Sequence, residues 1–245
     1  MKTGKTLWTW IAAAFVVLTG QALQAAAPED TQPLKIGIIG TGNIGSALAA
    51  HWAKAGHELL ISSRHPDELT ELAKLLGANV RVGTPREAAA FGDVILLSVP
   101  YSATPQIGRD LAKELKGKIV LDTGNPYPQR DGAMAIEARR KGTGVSSAEF
   151  LPGVRLVRAF NAINAGSLRS EANRAGGRYA IPLAGNDAQA LAVAQRLVED
   201  AGFDPVIVGD LSRAKEFDFG TGPYTKLQSA AALRKELGLP VAPAK

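Results

Sequence analysis

Apolar residues in this chain cluster in short runs, and most of these runs are followed by an amphipathic stretch. Residues 36–39 form a run that reads as a buried strand, and residues 46–55 place apolar side chains at helical spacing. The pattern then recurs. A strand is predicted over 56–61, a helix over 68–76 that stops at Gly77, and a short strand over 80–82. Thr84-Pro85-Arg86-Glu87 opens the next helix with an N-cap threonine, a first-turn proline and a glutamate three residues on. Residues 93–99 are apolar almost without a break, as expected of a central parallel strand covered on both faces. A helix reaching Leu115 follows, then strands over 118–121 and 155–160. Another strand is read over 181–184, a helix over 188–200 and a last strand over 206–208. Strands alternating with helices imply an α/β fold: a doubly wound, mostly parallel sheet with helices on both faces and a short helical C-terminal tail.

Between the first strand and the first helix stands Gly40-x-Gly42-x-x-Gly45. In a strand-turn-helix context these glycines allow a tight turn, close approach of a pyrophosphate to the backbone, and packing of helix on strand. The helix N-terminus then offers free amides and a positive dipole end to phosphate. After the second strand, where an acid would bond a ribose 2′-hydroxyl, the chain has Ser62-Ser63-Arg64-His65. Hydroxyls and a guanidinium suit a 2′-phosphate, which a carboxylate would repel, so NADP(H) is expected over NAD(H).

Ligands of such sheets lie outside the carboxyl ends of the strands. The segments expected there are 40–45, 62–65, 98–102, 122–127 and 160–164, and they contain no lysine and no pair of acids. Carbonyl or imine reduction needs a proton donor, whereas hydride transfer between two stacked rings needs chiefly positioning. Tyr101 and Tyr127 are the candidate donors, packing being the ordinary reading for both, and no residue is singled out as catalytic.

The 245 residues contain no cysteine, which excludes disulfides, thiolate nucleophiles and zinc-thiolate sites. His51, His57 and His65 show no metal-ligand spacing, so no metal is expected. Lys2 and Lys5 precede an apolar stretch over 7–18 and the cluster Ala25-Ala26-Ala27, the layout of a secretory signal peptide. The expected organisation is a signal peptide over 1–27, a linker over 28–34, an NADP-binding domain over 35–212 and a tail over 213–245. The expected location is exported and periplasmic, with an uncleaved anchor as the alternative. Removal of Lys2 and Lys5 lowers the formal charge from +5 to +3, a mild excess suited to phosphate ligands. No basic run with interleaved aromatics points to nucleic acid. The expected partner is a small-molecule redox acceptor, and a homodimer is left open.

Four features together resemble the coenzyme F-420-dependent NADP oxidoreductases, a family that also takes in the reductase domain of the STEAP metalloreductases. They are the fingerprint with Thr41, Ser62-Ser63-Arg64, Ser98-Val99-Pro100, and Val157-Arg-Ala-Phe160-Asn161. The resemblance runs from about Lys35 to about Ser212 and implies a Rossmann-type domain. By that resemblance Gly40, Thr41, Gly42, Asn43, Ile44, Ser63 and Arg64 would hold the nucleotide phosphates, and Ser98, Val99, Pro100 and Tyr101 would border the nicotinamide. A second ring, coenzyme F-420 or a flavin, would stack against a pocket of Asn125, Pro126, Tyr127, Ala159 and Asn161. Two rival readings are an exported dinucleotide-binding or sensor module without turnover and a small carbonyl or imine reductase. The hydroxyacid enzymes place a lysine beyond an asparagine, and residues 161–168 offer none.

Overall fold

The structure, a computed structural model, describes Met1 and residues 32–241. Apart from Met1, the signal segment read over 1–27 lies outside these residues. No helix among the described residues is long and apolar enough to cross a membrane.

The first half consists of β1 (Lys35–Ile39), α1 (Asn43–Lys54), β2 (Glu58–Ser62), α2 (Thr70–Leu76), β3 (Val80–Gly83), α3 (Pro85–Phe91) and β4 (Val94–Leu97). Then come α4 (Thr104–Asp110), α5 (Ala112–Leu115), β5 (Ile119–Asp122), α6 (Pro128–Lys141), α7 (Thr143–Phe150) and β6 (Arg155–Arg158). The chain continues with α8 (Ala165–Ser170), β7 (Ala180–Gly185), α9 (Ala188–Asp200), β8 (Asp204–Gly209) and α10 (Ala230–Glu236). Thr84 forms the predicted capping box of α3 with Glu87.

The eight strands lie in the order β3-β2-β1-β4-β5-β6-β7-β8. Neighbours from β3 to β6 are parallel, β6 and β7 are antiparallel, and β7 and β8 are again parallel. The strand order reverses between β1 and β4, which puts the switch-point crevice beside the glycine turn. Every residue of β4 and β5 is buried, as two covered faces require. On one face α1 and α9 carry the core, with Trp52 packed edge-on to Phe160 at 6.1 Å and bonded to the Leu197 carbonyl at 2.8 Å. On the other face, Ala88 and Ala89 of α3 and Leu111 and Leu115 pack against Ile95, Leu97 and Val120.

Residues 128–150, to which the apolar pattern assigns no element, form α6 and α7. The α6 sequence is strongly polar and Gly132 interrupts it at φ +62°, so no clean helical stripe shows. A third, smaller cluster forms beneath the C-terminal segment, where Phe217 and Ala214 meet Ala162, Ala184 and Val208.

Candidate functional site

At the switch point, the end of β1 turns through Gly40 at φ +96°, and a Cβ there would stand 2.3 Å from the Ser98 carbonyl oxygen. A Cβ on Gly45 would stand 2.2 Å from the Gly40 oxygen. Both positions therefore require glycine, one for turn geometry and the other for close approach. Gly42 differs: a Cβ would meet nothing within 4 Å. The fold leaves space above Gly42 that no protein atom uses.

The Gly40 and Thr41 amides both donate to the Ser62 carbonyl, at 3.1 and 3.0 Å, and the Thr41 hydroxyl donates to it as well at 3.0 Å. These groups tie the glycine turn to the end of β2, so the threonine hydroxyl proton is engaged within the protein. The unpaired donors lie one step further on. Helical bonding in α1 starts with the Ser46 amide on the Gly42 carbonyl, so the amides of Asn43, Ile44 and Gly45 are the open ones at this helix N-terminus. The first turn of α1 holds no acid and Gly42 caps it with no side-chain bond. Arg169 of α8 reaches this turn from outside, bonding the Asn43 carbonyl at 2.8 Å and the Ser46 hydroxyl at 3.1 Å. A cation beside the positive end of a helix dipole is unfavourable by itself, and an anion between them would relieve it. Sequence reasoning missed Arg169, because 123 residues separate it from Ser46.

A cleft of about 610 Å³ opens over this turn. It joins Gly40, Thr41, Gly42, Ser63, Arg64, His65, Ser98, Val99, Pro100 and Ser102, all within segments expected from the sequence, with Glu68, Pro85, Gln106 and Ile107, which were not expected there. The Ser63 hydroxyl accepts from the His65 amide at 3.0 Å, a local turn that carries Arg64 at its apex. Arg64 is exposed, and its guanidinium has no partner among the described residues. Tyr101 does not face this cleft. It is fully buried, packs edge-on to Phe150 and accepts from the Ser147 hydroxyl at 3.3 Å. Burial, chiefly, raises its pKa above the ordinary tyrosine value.

The residues expected to form a second-ring pocket lie outside the cleft. Ala159 and Asn161 are buried to 0% and 2% exposure and Asn125 to 9%, so no flat ring reaches them as the chain is arranged. The Asn125 amide donates to the Asn161 carbonyl at 2.8 Å. Pro126 is buried beside them and Tyr127 is half-buried. The Tyr127 hydroxyl lies 2.6 Å from that of Tyr224, and Phe219 stands edge-on to both rings. Asn161 also bonds the Phe217 carbonyl at 3.3 Å. Segment 217–225 thus covers the ends of β5 and β6. Beneath it lies a charge cluster that the sequence did not reveal. Arg158, fully buried, bonds the Asp122 carboxylate at 2.8 Å and that of Asp218 at 3.3 Å. Burial opposes the guanidinium charge, but the two carboxylates outweigh it and raise the Arg158 pKa. The Asp122 carboxylate also accepts the Gly124 amide at 2.8 Å, and that of Asp218 accepts the Thr143 amide at 3.0 Å.

Topology, glycine turn and switch-point cleft together define a Rossmann-type fold. Residues 35–126 match the model of a family described as NADP oxidoreductase, coenzyme F420-dependent. The F420-dependent NADP reductase of Methanothermobacter thermautotrophicus is 32% identical over 148 residues, 55% of this chain and 64% of the relative. Metalloreductase STEAP3 of Rattus norvegicus is 29% identical over 191 residues, 75% of this chain and 36% of the relative. The chain therefore spans about a third of one curated relative and just under two thirds of the other. A solved structure from Arthrobacter, proposed to be an F420-dependent NADP-reductase, superposes with a TM-score of 0.64 at 25% identity. That match covers 74% of this chain and 87% of the other.

Proposed function

We propose that the cleft binds NADP(H) and that the protein is an NADP-dependent oxidoreductase passing hydride to a flavin- or deazaflavin-type ring. The observation that carries this reading is the combination of empty space over Gly42 with an unpartnered Arg64 in the same cleft. Pyrophosphate fits where Gly42 has no side chain and where the first amides of α1 are open. Arg64 and Ser63 stand where a 2′-phosphate would extend, and Ser98, Val99 and Pro100 line the strand end where the resemblance puts the nicotinamide. The bound nucleotide supplies the hydride. The protein orients it, and the cleft lining holds no lysine and no pair of acids, which suits transfer between stacked rings. The names of the curated relatives support the same class of cofactor.

A second reading, a dinucleotide-binding module without turnover, is favoured by one observation: segment 217–225 covers the strand ends where the acceptor ring was expected. Titration with NADPH, followed by NADPH oxidation with FMN, FAD and coenzyme F-420 as acceptors, separates the two. The first reading expects binding and turnover with at least one acceptor, the second binding alone. Absence of NADPH binding overturns both.

A further inference from the structure

We propose that Glu68 limits the cleft's selectivity for a 2′-phosphorylated dinucleotide and so sets how far NADPH is preferred to NADH. The inference rests on the cleft holding the nucleotide, as read above. Along the chain, the turn after β2 offers hydroxyls and an arginine and no acid. Folding changes that count. The chain passes from Arg64 into a single turn of 3-10 helix, Pro66–Leu69, and this turn brings Glu68 into the lining of the cleft that Ser63 and Arg64 occupy. Glu68 is the one acid in that lining.

Its side chain is exposed and makes no hydrogen bond or ion pair with Arg64 or with any other described residue. Two opposite charges thus line one cleft without pairing, and the fold uses neither. Both remain available to a ligand. A 2′-phosphate would gain from Arg64 and lose from Glu68. A 2′-hydroxyl would donate to the Glu68 carboxylate, as acids at the end of this strand do in NAD sites. The site is a balance between a cation that favours NADPH and an anion that favours NADH, with Arg64 the stronger because it can fork onto phosphate oxygens.

The test is titration of the whole protein and of Glu68→Gln and Arg64→Ala variants with NADPH and NADH at low and at physiological salt. Glu68→Gln keeps size and polarity and removes only the charge. It should raise the ratio of NADPH to NADH affinity by about two- to fivefold at low salt, the scale of an exposed charge pair. The gain should shrink as salt screens it. Arg64→Ala should move the ratio the other way. A structural role for Glu68 would instead shift both nucleotides equally, with a changed melting temperature. A ratio unchanged within twofold at low salt overturns the inference while leaving the cleft reading intact, provided wild type binds NADPH and Arg64→Ala weakens it. Wild-type protein that binds neither nucleotide overturns both.

Discussion

Two sets of strand ends stand side by side along one edge of the sheet, and they have opposite characters. At β1, β2 and β4 the backbone turns are tight, the cleft is open, and Arg64 and Glu68 are unpartnered among the described residues. At β5 and β6 the side chains pair with one another, although Asn125 Oδ1, Asn161 Oδ1 and Arg158 Nε are buried without a hydrogen-bond partner among the described residues. Arg158 is held between Asp122 and Asp218, Asn125 bonds Asn161, and Tyr127 bonds Tyr224. The first region gathers short stretches between residues 39 and 107 and leaves Arg64 and Glu68 open to a ligand. The second is closed by the chain's own 217–225 segment. A close network of buried charges is a costly way to stabilise a fold, since apolar residues of equal volume often serve as well. Through Asp218 it ties the covering segment to Arg158 and Asp122 at the ends of β6 and β5.

Breaking the closed region should have the largest effect. Arg158→Leu leaves two buried carboxylates facing each other without a cation. Urea unfolding should show a loss of about 3–5 kcal/mol, and a change below about 1 kcal/mol would mean that the cluster is hydrated and loose. Gly42→Val should do the reverse in the open region. A Cβ there meets no protein atom within 4 Å, so the melting temperature should hold while NADPH binding disappears. Unchanged NADPH affinity would place the nucleotide elsewhere.

The third test sits on the boundary between the regions. Asp131 accepts the Ser102 amide at 3.3 Å, from the wall of the open cleft, and the Tyr127 amide at 3.0 Å, from the closed side. Burial alone would raise its pKa, but Arg130 and these amides hold it down to about 2. The folded state therefore takes up this proton later than the unfolded chain. The stabilisation is present in full above about pH 4 and is lost as pH falls toward 2, on the order of 2 kcal/mol. Comparing wild type with Asp131→Asn over pH 2–5 isolates it, and parallel curves would show that the carboxylate does not join the two regions. The smallest effect is expected from Tyr127→Phe, which removes one hydroxyl from the Tyr127–Tyr224 pair. Stability should fall by about 1 kcal/mol. Turnover with a flavin-type acceptor should fall less than about tenfold, short of the loss expected for a general acid. A thousandfold loss would assign Tyr127 a proton-donor role and move the function toward carbonyl or imine reduction.

The open region was legible because its chemistry is local. Gly40, Gly42, Gly45, Ser63 and Arg64 lie within 25 consecutive residues, and turn and helix constraints bind near neighbours. The cap of α3 and the buried runs of β4 and β5 were readable for the same reason. What escaped were contacts made across the chain. Glu68 looked like an ordinary first-turn residue and Tyr101 a residue of a ligand-facing loop until packing gave each a direction, and no local pattern singled out Arg169. The polar helix α6 hid its boundaries behind Gly132.

Residue order alone dictates the alternation of strands and helices, the glycine turn and the hydroxyl-arginine pair, because hydrogen-bonded backbone and short-range sterics act over a few residues. The fate of the strand ends depends on folding. Asp122, Arg158 and Asp218 are 36 and 60 residues apart along the chain yet share one buried cluster. Desolvation and charge pairing of that kind exist only once the sheet has brought the strands together, and no local pattern records them in advance.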